Sequence, residues 1–413
     1  MQFGARKCKL LISGRLNKTK AVKTLLANEP EILTFYGSPV KTVEDYYVHI
    51  GVPQAAHNQS KVIVDYRITK SEALSYKLQS VTKNSVSGIS PLSNRKMFTA
   101  YHQPTFLYGT DTLFINVTDL EKLERKYRKV LRCMLSLPDC APSAGVYLCM
   151  GLLPASAHRD IDILALFGQL AVCDDELQSV KTVIENSLTF YGITFNGWSG
   201  LVRQTCLKYN LPDPLQYLLY PWRPDRWRNY CKGEVEKFWN RELLDIVENT
   251  PSLCYMDTGY ASTSVPMRIW QMAGLDSVCV RAATVVNWFV MGIYFTREML
   301  HKMKKVDSPM CLGCPQNKKE TPEHFILECS YFQDIRESFL PKFVILNPNV
   351  SQVLGNENLI MLMILDPLSS KLPEEVTNNW VSVKEAYKIS RTFVYNMHRK
   401  REKYYNQMEK KNS

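Results

Sequence analysis

The sequence lacks any long hydrophobic run. No stretch of its 413 residues approaches the ~18 apolar residues that a membrane span requires. The richest segment, Ala282 to Phe295, is interrupted by Asn287 and reads as a buried helix, so no membrane partner is expected. The opening MQFGARKCKLLISGR holds only the apolar run Leu10 to Ile12, far short of a secretory core, and an intracellular chain is expected. No glycine-rich phosphate loop, no G-x-S-x-G and no H-E-x-x-H occurs, which removes P-loop, nucleophile-elbow and zincin chemistry from consideration. Serine, histidine and aspartate are too dispersed for a triad, and no small-molecule substrate is expected. Internal repeats and low-complexity blocks are absent. A polymerase needs paired carboxylates at a strand turn. The adjacent pair Asp174 and Asp175, in AVCDDELQS, continues as LQSVKTVIENS in helical rhythm and reads as a helix cap or flank.

What is present is a basic, globular composition. Hydrophobic residues make up 45% and charged residues 22%, enough for a packed core and against wholesale disorder. The length suggests roughly two to four folded units. Lysine and arginine number 51 against 40 acidic residues, a net charge of +11. That surplus favours a polyanionic partner, nucleic acid or an acidic membrane face; a merely basic solvated surface is the plainer alternative. Of 12 cysteines, Cys8, Cys133, Cys140, Cys149, Cys173, Cys206, Cys231, Cys254 and Cys279 are scattered and read as small buried hydrophobes. The other three cluster with a histidine.

The expected fold class is mainly α. Within residues 1–54, Lys9 to Ile12, Ile32 to Tyr36 and Tyr46 to Val52 are short β-prone runs between Gly, Ser and Pro, predicting a small α+β start. A helical pattern runs from Gln54 to Thr82, a second helix from Pro91 to Ala100, and a loop from His102 to Tyr108. The clearest helix begins at Thr118, where Thr118 and Glu121 have capping-box spacing. Leu120, Leu123, Tyr127, Val130, Leu131 and Met134 form its apolar face, and Pro138 ends it. The opposite face carries Lys122, Arg125, Lys126, Lys129 and Arg132, with Glu121 and Glu124 as partial counter-charge. Such a stripe can track a phosphate backbone or simply face solvent.

Residues 142–250 read as further helices, broken at Gly151, Pro154, Tyr191 to Trp198 and Pro212 to Pro224. Trp222, Trp227 and Trp239 interleave with Arg223, Arg226 and Arg228. They can stack on single-stranded nucleic acid, but helix packing is the favoured role. A buried helical pair at 266–305 ends in the basic run His301 to Lys305. Residues 346–380 are loop-rich around Leu359 to Leu365. A basic helical tail from Ser382 carries Arg399, Lys400 and Arg401, as an exposed amphipathic helix or a nucleic-acid arm.

The segment CLGCPQNKKETPEHFILEC carries Cys311, Cys314, His324 and Cys329 at the spacing C-x2-C-x9-H-x4-C. Cys3His is a standard closed donor set for one structural zinc ion. Two cysteines two residues apart fit a tight turn, and Gly313 within it tolerates a positive φ. Thr321 can cap a short helix, Pro322 suits its first position and Glu323 its positive end. That helix would carry His324. Cys329, five residues on, would lie roughly 140° away on an ideal helix, so the helix must loosen or end first. With four protein donors no position is left for a water, and a structural ion is expected over a hydrolytic one.

Several blocks, in this order, resemble the C-terminal part of the polyprotein of non-long-terminal-repeat retrotransposons, after the reverse transcriptase catalytic motifs. FGARKCKLLISG, with Lys7, looks like the segment just after the catalytic aspartates. VHIGVP at 48–53 is similar to the turn that ends the palm, with His49 and Ile50 replacing the usual Tyr and Leu. PTFLYGTDTL, DLEKLERKYRKVLRCMLSLP and YLCMGLLPASAHRD look like the thumb and the helices behind it, and CLGC…ETPEHFILEC like the family's Cys-Cys-His-Cys knuckle. The resemblance implies a palm remnant at 1–54, a helical thumb-like region at 55–175, a helical connector at 176–305, a zinc knuckle at 306–345, and a loop-rich segment with a basic helical tail at 346–413. The upstream endonuclease and the catalytic aspartates are missing, and no restriction-type nuclease motif follows the knuckle. The expected function is therefore a non-catalytic fragment that binds RNA or DNA through basic helices and the knuckle, with a nuclear location implied by the family. Two alternatives stay open: a piece of an active RNA-directed DNA polymerase used in target-primed reverse transcription, or a decayed or repurposed interaction protein.

Overall fold

The computed structural model describes residues 9–11, 16–28, 34–35, 38–43, 46–82, 89–173, 178–190, 197–315 and 317–412, and the protein is mainly helical. Lys7, the pair Asp174 and Asp175, and most of the turn from Tyr191 lie outside the described residues. Among the described residues no helix is long and apolar enough to cross a membrane. The chain forms two compact units, each drawn from three stretches: 1–75, 100–127 and 155–235 in the first, and 76–99, 128–154 and 236–413 in the second.

In the first unit the strands are short and paired two by two. Lys9–Leu11 runs parallel to Lys41–Val43, and Thr34–Phe35 antiparallel to Ser38–Pro39. Tyr46–His49 and Val52–Ala55 make a hairpin whose loop residues Ile50 and Gly51 have φ of 47° and 77°. Two left-handed residues are what a twist-matched two-residue hairpin loop requires. Glycine takes that conformation freely, whereas a β-branched residue is strained in it. The surroundings hold it in place: the Tyr108 hydroxyl donates to the Ile50 carbonyl at 3.1 Å, and Arg67 to the Gly51 carbonyl at 2.7 Å.

The helix expected from Gln54 begins instead at Gln59 and runs to Thr82. The hairpin has claimed the residues before it, and the Gln59 side chain ties back to the Ala55 N–H (2.5 Å) and the Pro53 carbonyl (2.6 Å). The loop expected at His102 to Tyr108 is largely helical. Phe98–His102 widens into a π turn and Gln103–Leu107 continues as α-helix, with Pro104 in the first turn, where a missing N–H does no harm. Burial of Phe106 and Leu107 drives that segment inward.

The helix Val117–Met134 is capped two residues earlier than the sequence suggests: Asn116, not Thr118, stands before its first turn and accepts the Asp119 N–H at 2.8 Å. Its apolar face is as read, with Leu123, Tyr127 and Leu131 fully buried and Leu120 and Val130 half-buried. It stops at Met134, where Ser136 turns left-handed (φ 55°) before Pro138 is reached. Glu124 has a further task besides counter-charge. It is buried, and its carboxylate accepts the N–H groups of Ala155 (3.1 Å) and Ser156 (2.9 Å), satisfying the orphan donors that open Ala155–Ala171. The packing role of the tryptophans holds for Trp227. Its indole N–H donates to the Leu164 carbonyl at 2.8 Å, and its ring lies 4.0 Å from that of Tyr217.

In the second unit, Ser277–Val290 is the central helix, buried as expected, although it ends short of Phe295. Asn287 inside it accepts the Cys149 thiol at 3.2 Å. Residues 346–380 are less loop-like than they read. Asn356 caps Glu357–Leu365 by accepting the Leu359 N–H at 3.2 Å, and Met361 to Leu365 are buried. The tail is one helix, Val383–Asn412, but not a free arm. Ala386, Tyr387, Phe393, Val394 and Met397 are in the core, packed against Ser277–Val290 and Gln333–Leu346.

Candidate metal centre

The first two donors sit on a small ribbon. An antiparallel bridge between Met310 and Lys319 closes it, flanked by Cys311 N–H to Lys318 O (2.8 Å) and Glu320 N–H to Pro309 O (2.9 Å). Gly313 does not use the positive φ that it could tolerate. A Cβ there would lie 3.3 Å from Cβ and Cγ of Tyr331, so glycine serves close approach instead.

The third donor opens a turn of helix. The Thr321 hydroxyl accepts the His324 N–H at 3.1 Å, as the sequence predicts, and Pro322 follows it. His324–Glu328 then widens into a π turn. The Cys329 N–H donates to the His324 carbonyl at 2.8 Å, a bond between residues five apart rather than four. An ordinary helix would leave Cys329 about 140° round the axis; the π turn brings it back beside His324. The required loosening is built into the backbone.

All four donor atoms of Cys311, Cys314, His324 and Cys329 lie within 4.8 Å of one another. Cys311 Sγ is 3.7 Å from Cys329 Sγ, and Cys314 Sγ is 3.5 Å from His324 Nε2. A zinc tetrahedron with Zn–S about 2.3 Å and Zn–N about 2.05 Å has edges of about 3.8 Å between sulfurs and about 3.6 Å between sulfur and nitrogen. These two edges match, and the sulfurs are far beyond disulfide length, about 2.05 Å. The donors are nearly shut from solvent, at 8, 9, 3 and 0% exposure. This set can hold one zinc ion.

Glu328 orients the histidine. Its Oε2 lies 3.1 Å from His324 Nδ1 and 2.9 Å from Lys318 Nζ. Nδ1–H thus donates to the carboxylate, and Nε2 turns its lone pair toward Cys314. Lys318, then His324, hold the Glu328 carboxyl below its usual range. The contact between the two sulfurs raises the Cys311 thiol and, against burial, lowers the Cys329 one; the thiolate is the metal-binding form. Arg336 donates to the Cys329 carbonyl at 2.5 Å.

The C-terminal helix closes over the ribbon. Arg401 forks onto Glu320 at 2.9 and 2.8 Å, and the Tyr405 hydroxyl donates to the same carboxylate at 3.0 Å. Glu320 is 1% exposed, and removing one partner of such a buried pair costs roughly 3–5 kcal/mol. Tyr404 donates to the Leu312 carbonyl at 2.8 Å and packs on Tyr331, ring centroids 4.7 Å apart. Lys400 donates to the Tyr331 carbonyl (2.8 Å) and to Asp334 (2.6 Å).

The expected nucleic-acid cations divide accordingly. Lys400 and Arg401 have internal partners, while Arg399 is exposed. On Val117–Met134, Lys122 pairs with Asp65 at 2.5 Å and Lys126 with Glu72 at 2.8 Å. Arg132 forks onto the Ala141 carbonyl at 3.1 and 2.7 Å. Arg125 and Lys129, one turn apart, remain exposed. The first unit also carries a groove of about 690 Å³ lined by Tyr46, His57, Lys61, Tyr66 and Lys70 among others, which the sequence reading did not single out.

Comparison with family models, curated proteins and solved structures gives no match. The functional reading therefore rests on the site and on the residues around it.

Proposed function

We propose that this chain is a zinc-stabilised module that binds RNA or DNA without catalysing a reaction, and that it corresponds to the C-terminal part of a non-long-terminal-repeat retrotransposon reverse transcriptase. The observation that carries the proposal is the Cys3His cage, whose 3.7 and 3.5 Å edges fit one tetrahedral zinc with no place for a water. The metal's task is structural: it ties the ribbon to the π turn, whose Phe325 and Ile326 are fully buried. Nucleic-acid binding is supported by the +11 charge, by exposed Arg125, Lys129 and Arg399, and by the groove, where two tyrosines stand among Lys61, Lys70 and His57. Aromatics among cations suit single strands, which stack and pair there. The tight hairpin over 46–55 is consistent with a palm-ending turn, and nuclear action follows from the same reading.

The purified chain should hold about one zinc by elemental mass spectrometry, and Cys314→Ser should release it; a metal-free wild type ends the zinc assignment. Fluorescence anisotropy with single-stranded RNA should give an affinity that falls steeply with salt. Binding that ignores salt, or no binding, ends the nucleic-acid assignment.

A further inference from the structure

We propose that the metal cage and the C-terminal helix form a clasp, in which zinc occupancy decides whether Lys400 and Arg401 are held internally or offered to a polyanion. The inference rests on the zinc reading above.

The helix Val383–Asn412 is held in two different ways. Its first half is fastened by apolar burial at Ala386, Tyr387, Phe393, Val394 and Met397. Beyond Met397 the fastening is polar and aromatic, and part of it lands on the segment that carries the donors, the rest on Tyr294, Phe295, Tyr331 and Asp334. Tyr404 bonds the carbonyl of Leu312, which lies between Cys311 and Cys314. Arg401 and Tyr405 bond Glu320, which follows the bridge that closes the ribbon. Lys400 bonds the carbonyl of Tyr331, two residues past Cys329.

Besides the metal and the helix itself, the ribbon is held at Glu320, which accepts the Arg297 N–H at 2.7 Å, and by its own backbone bonds. One bridge and its two flanking backbone bonds close it, and an isolated two-stranded ribbon is marginal in water. Small sites of this kind draw their folding free energy from the ion. Emptying the cage therefore loosens Leu312 and the ribbon around Glu320, and the second half of the helix loses its anchors there, keeping the bonds of Lys400 to Asp334 and of Arg401 to the Phe295 carbonyl, while the first half keeps its core. Lys400 and Arg401, matched by Asp334 and Glu320 in the docked state, can then exchange their remaining bonds for a polyanion beside exposed Arg399 and Lys403. Linkage makes the effect reciprocal: the factor by which zinc favours helix docking is the factor by which docking favours zinc.

Hydrogen exchange on the full chain, zinc-loaded and chelator-stripped, tests this. Metal removal should expose residues 311–331 and 398–408 while 277–290 and 386–397 stay protected. The salt slope of single-stranded RNA binding should steepen by about 1.4, for two added phosphate contacts. Unchanged protection at 398–408 overturns the clasp. Should the stripped chain unfold throughout, zinc-loaded Glu320→Gln replaces it. That variant should lose tail protection with the metal still bound and take zinc roughly tenfold more weakly; if neither changes, the clasp is overturned. A wild type that takes no zinc removes the zinc reading and the clasp with it, whereas one that takes zinc yet keeps a metal-independent tail removes the clasp alone.

Discussion

Glu328 sits one residue before a metal donor and four after another, and its carboxylate reaches His324 Nδ1 and Lys318 at once. Such outer partners fix the ring and raise the basicity of the ligating nitrogen. Glu328→Gln should lower zinc affinity by roughly 10- to 100-fold in competition with a chromophoric chelator, while Glu337→Gln, outside the cage, should change nothing. Equal affinities in both variants would deny Glu328 an orienting role. The four donors were legible in the sequence because their spacing is local and their chemistry rare. Glu328 was legible in principle, since residues four apart share a helix face. Glu320 was not: its meaning depends on Arg401, 81 residues away. Gly313 shows a different limit. Glycine is used for conformational freedom or for room, and only the Tyr331 ring tells which applies.

At the scale of elements, Val117–Met134 separates what periodicity can and cannot reveal. Its apolar face follows from intervals of three and four. Its basic face reads as one stripe, yet Asp65 and Glu72 arrive from another helix to cover Lys122 and Lys126. Those pairs are about two-fifths exposed and worth ~0–1 kcal/mol each, so they mask charge more than they stabilise. Arg125→Glu with Lys129→Glu should weaken RNA binding and flatten its salt slope by about 1.4. Lys122→Ala should leave the slope nearly as it is; a reversal of that order would return the contact surface to the masked lysines. The segments at 102–108 and 346–380 read as loops because proline, glycine and polar residues punctuate them. Burial of Phe106 and of Met361 to Leu365 overrides those local signals.

For the molecule as a whole, mainly helical character could be anticipated, but the return of the chain to each of two units has no local signature. The first unit carries buried groups that make its stability depend on pH. Burial lowers His102 to about 4, and burial with Lys232 lowers His158 to about 4. Burial, then Asp111, raises Asp162 to about 6 against the pull of Arg228. Each histidine refuses a proton that the unfolded chain accepts below about 6.5, so its stabilisation is lost as pH falls from there toward 4. Asp162 works oppositely: its folded form holds a proton that the unfolded chain has released, so stability is lost as pH rises through 6. Two histidines outweigh one carboxylate, leaving about one net proton taken up on unfolding between pH 4 and 6.5. The urea midpoint should therefore climb across that window, and His158→Gln should flatten the climb; a level wild-type profile would contradict the assignment.

The π turn from His324 to Glu328 also sets a rule about chain length. Dropping one residue between His324 and Cys329 would permit an ordinary helical turn, but it would swing Phe325 or Ile326 off the hydrophobic side; adding one would carry the last sulfur past the other three donors. Related chains that preserve this architecture should vary in the letters of that segment and hold its length constant.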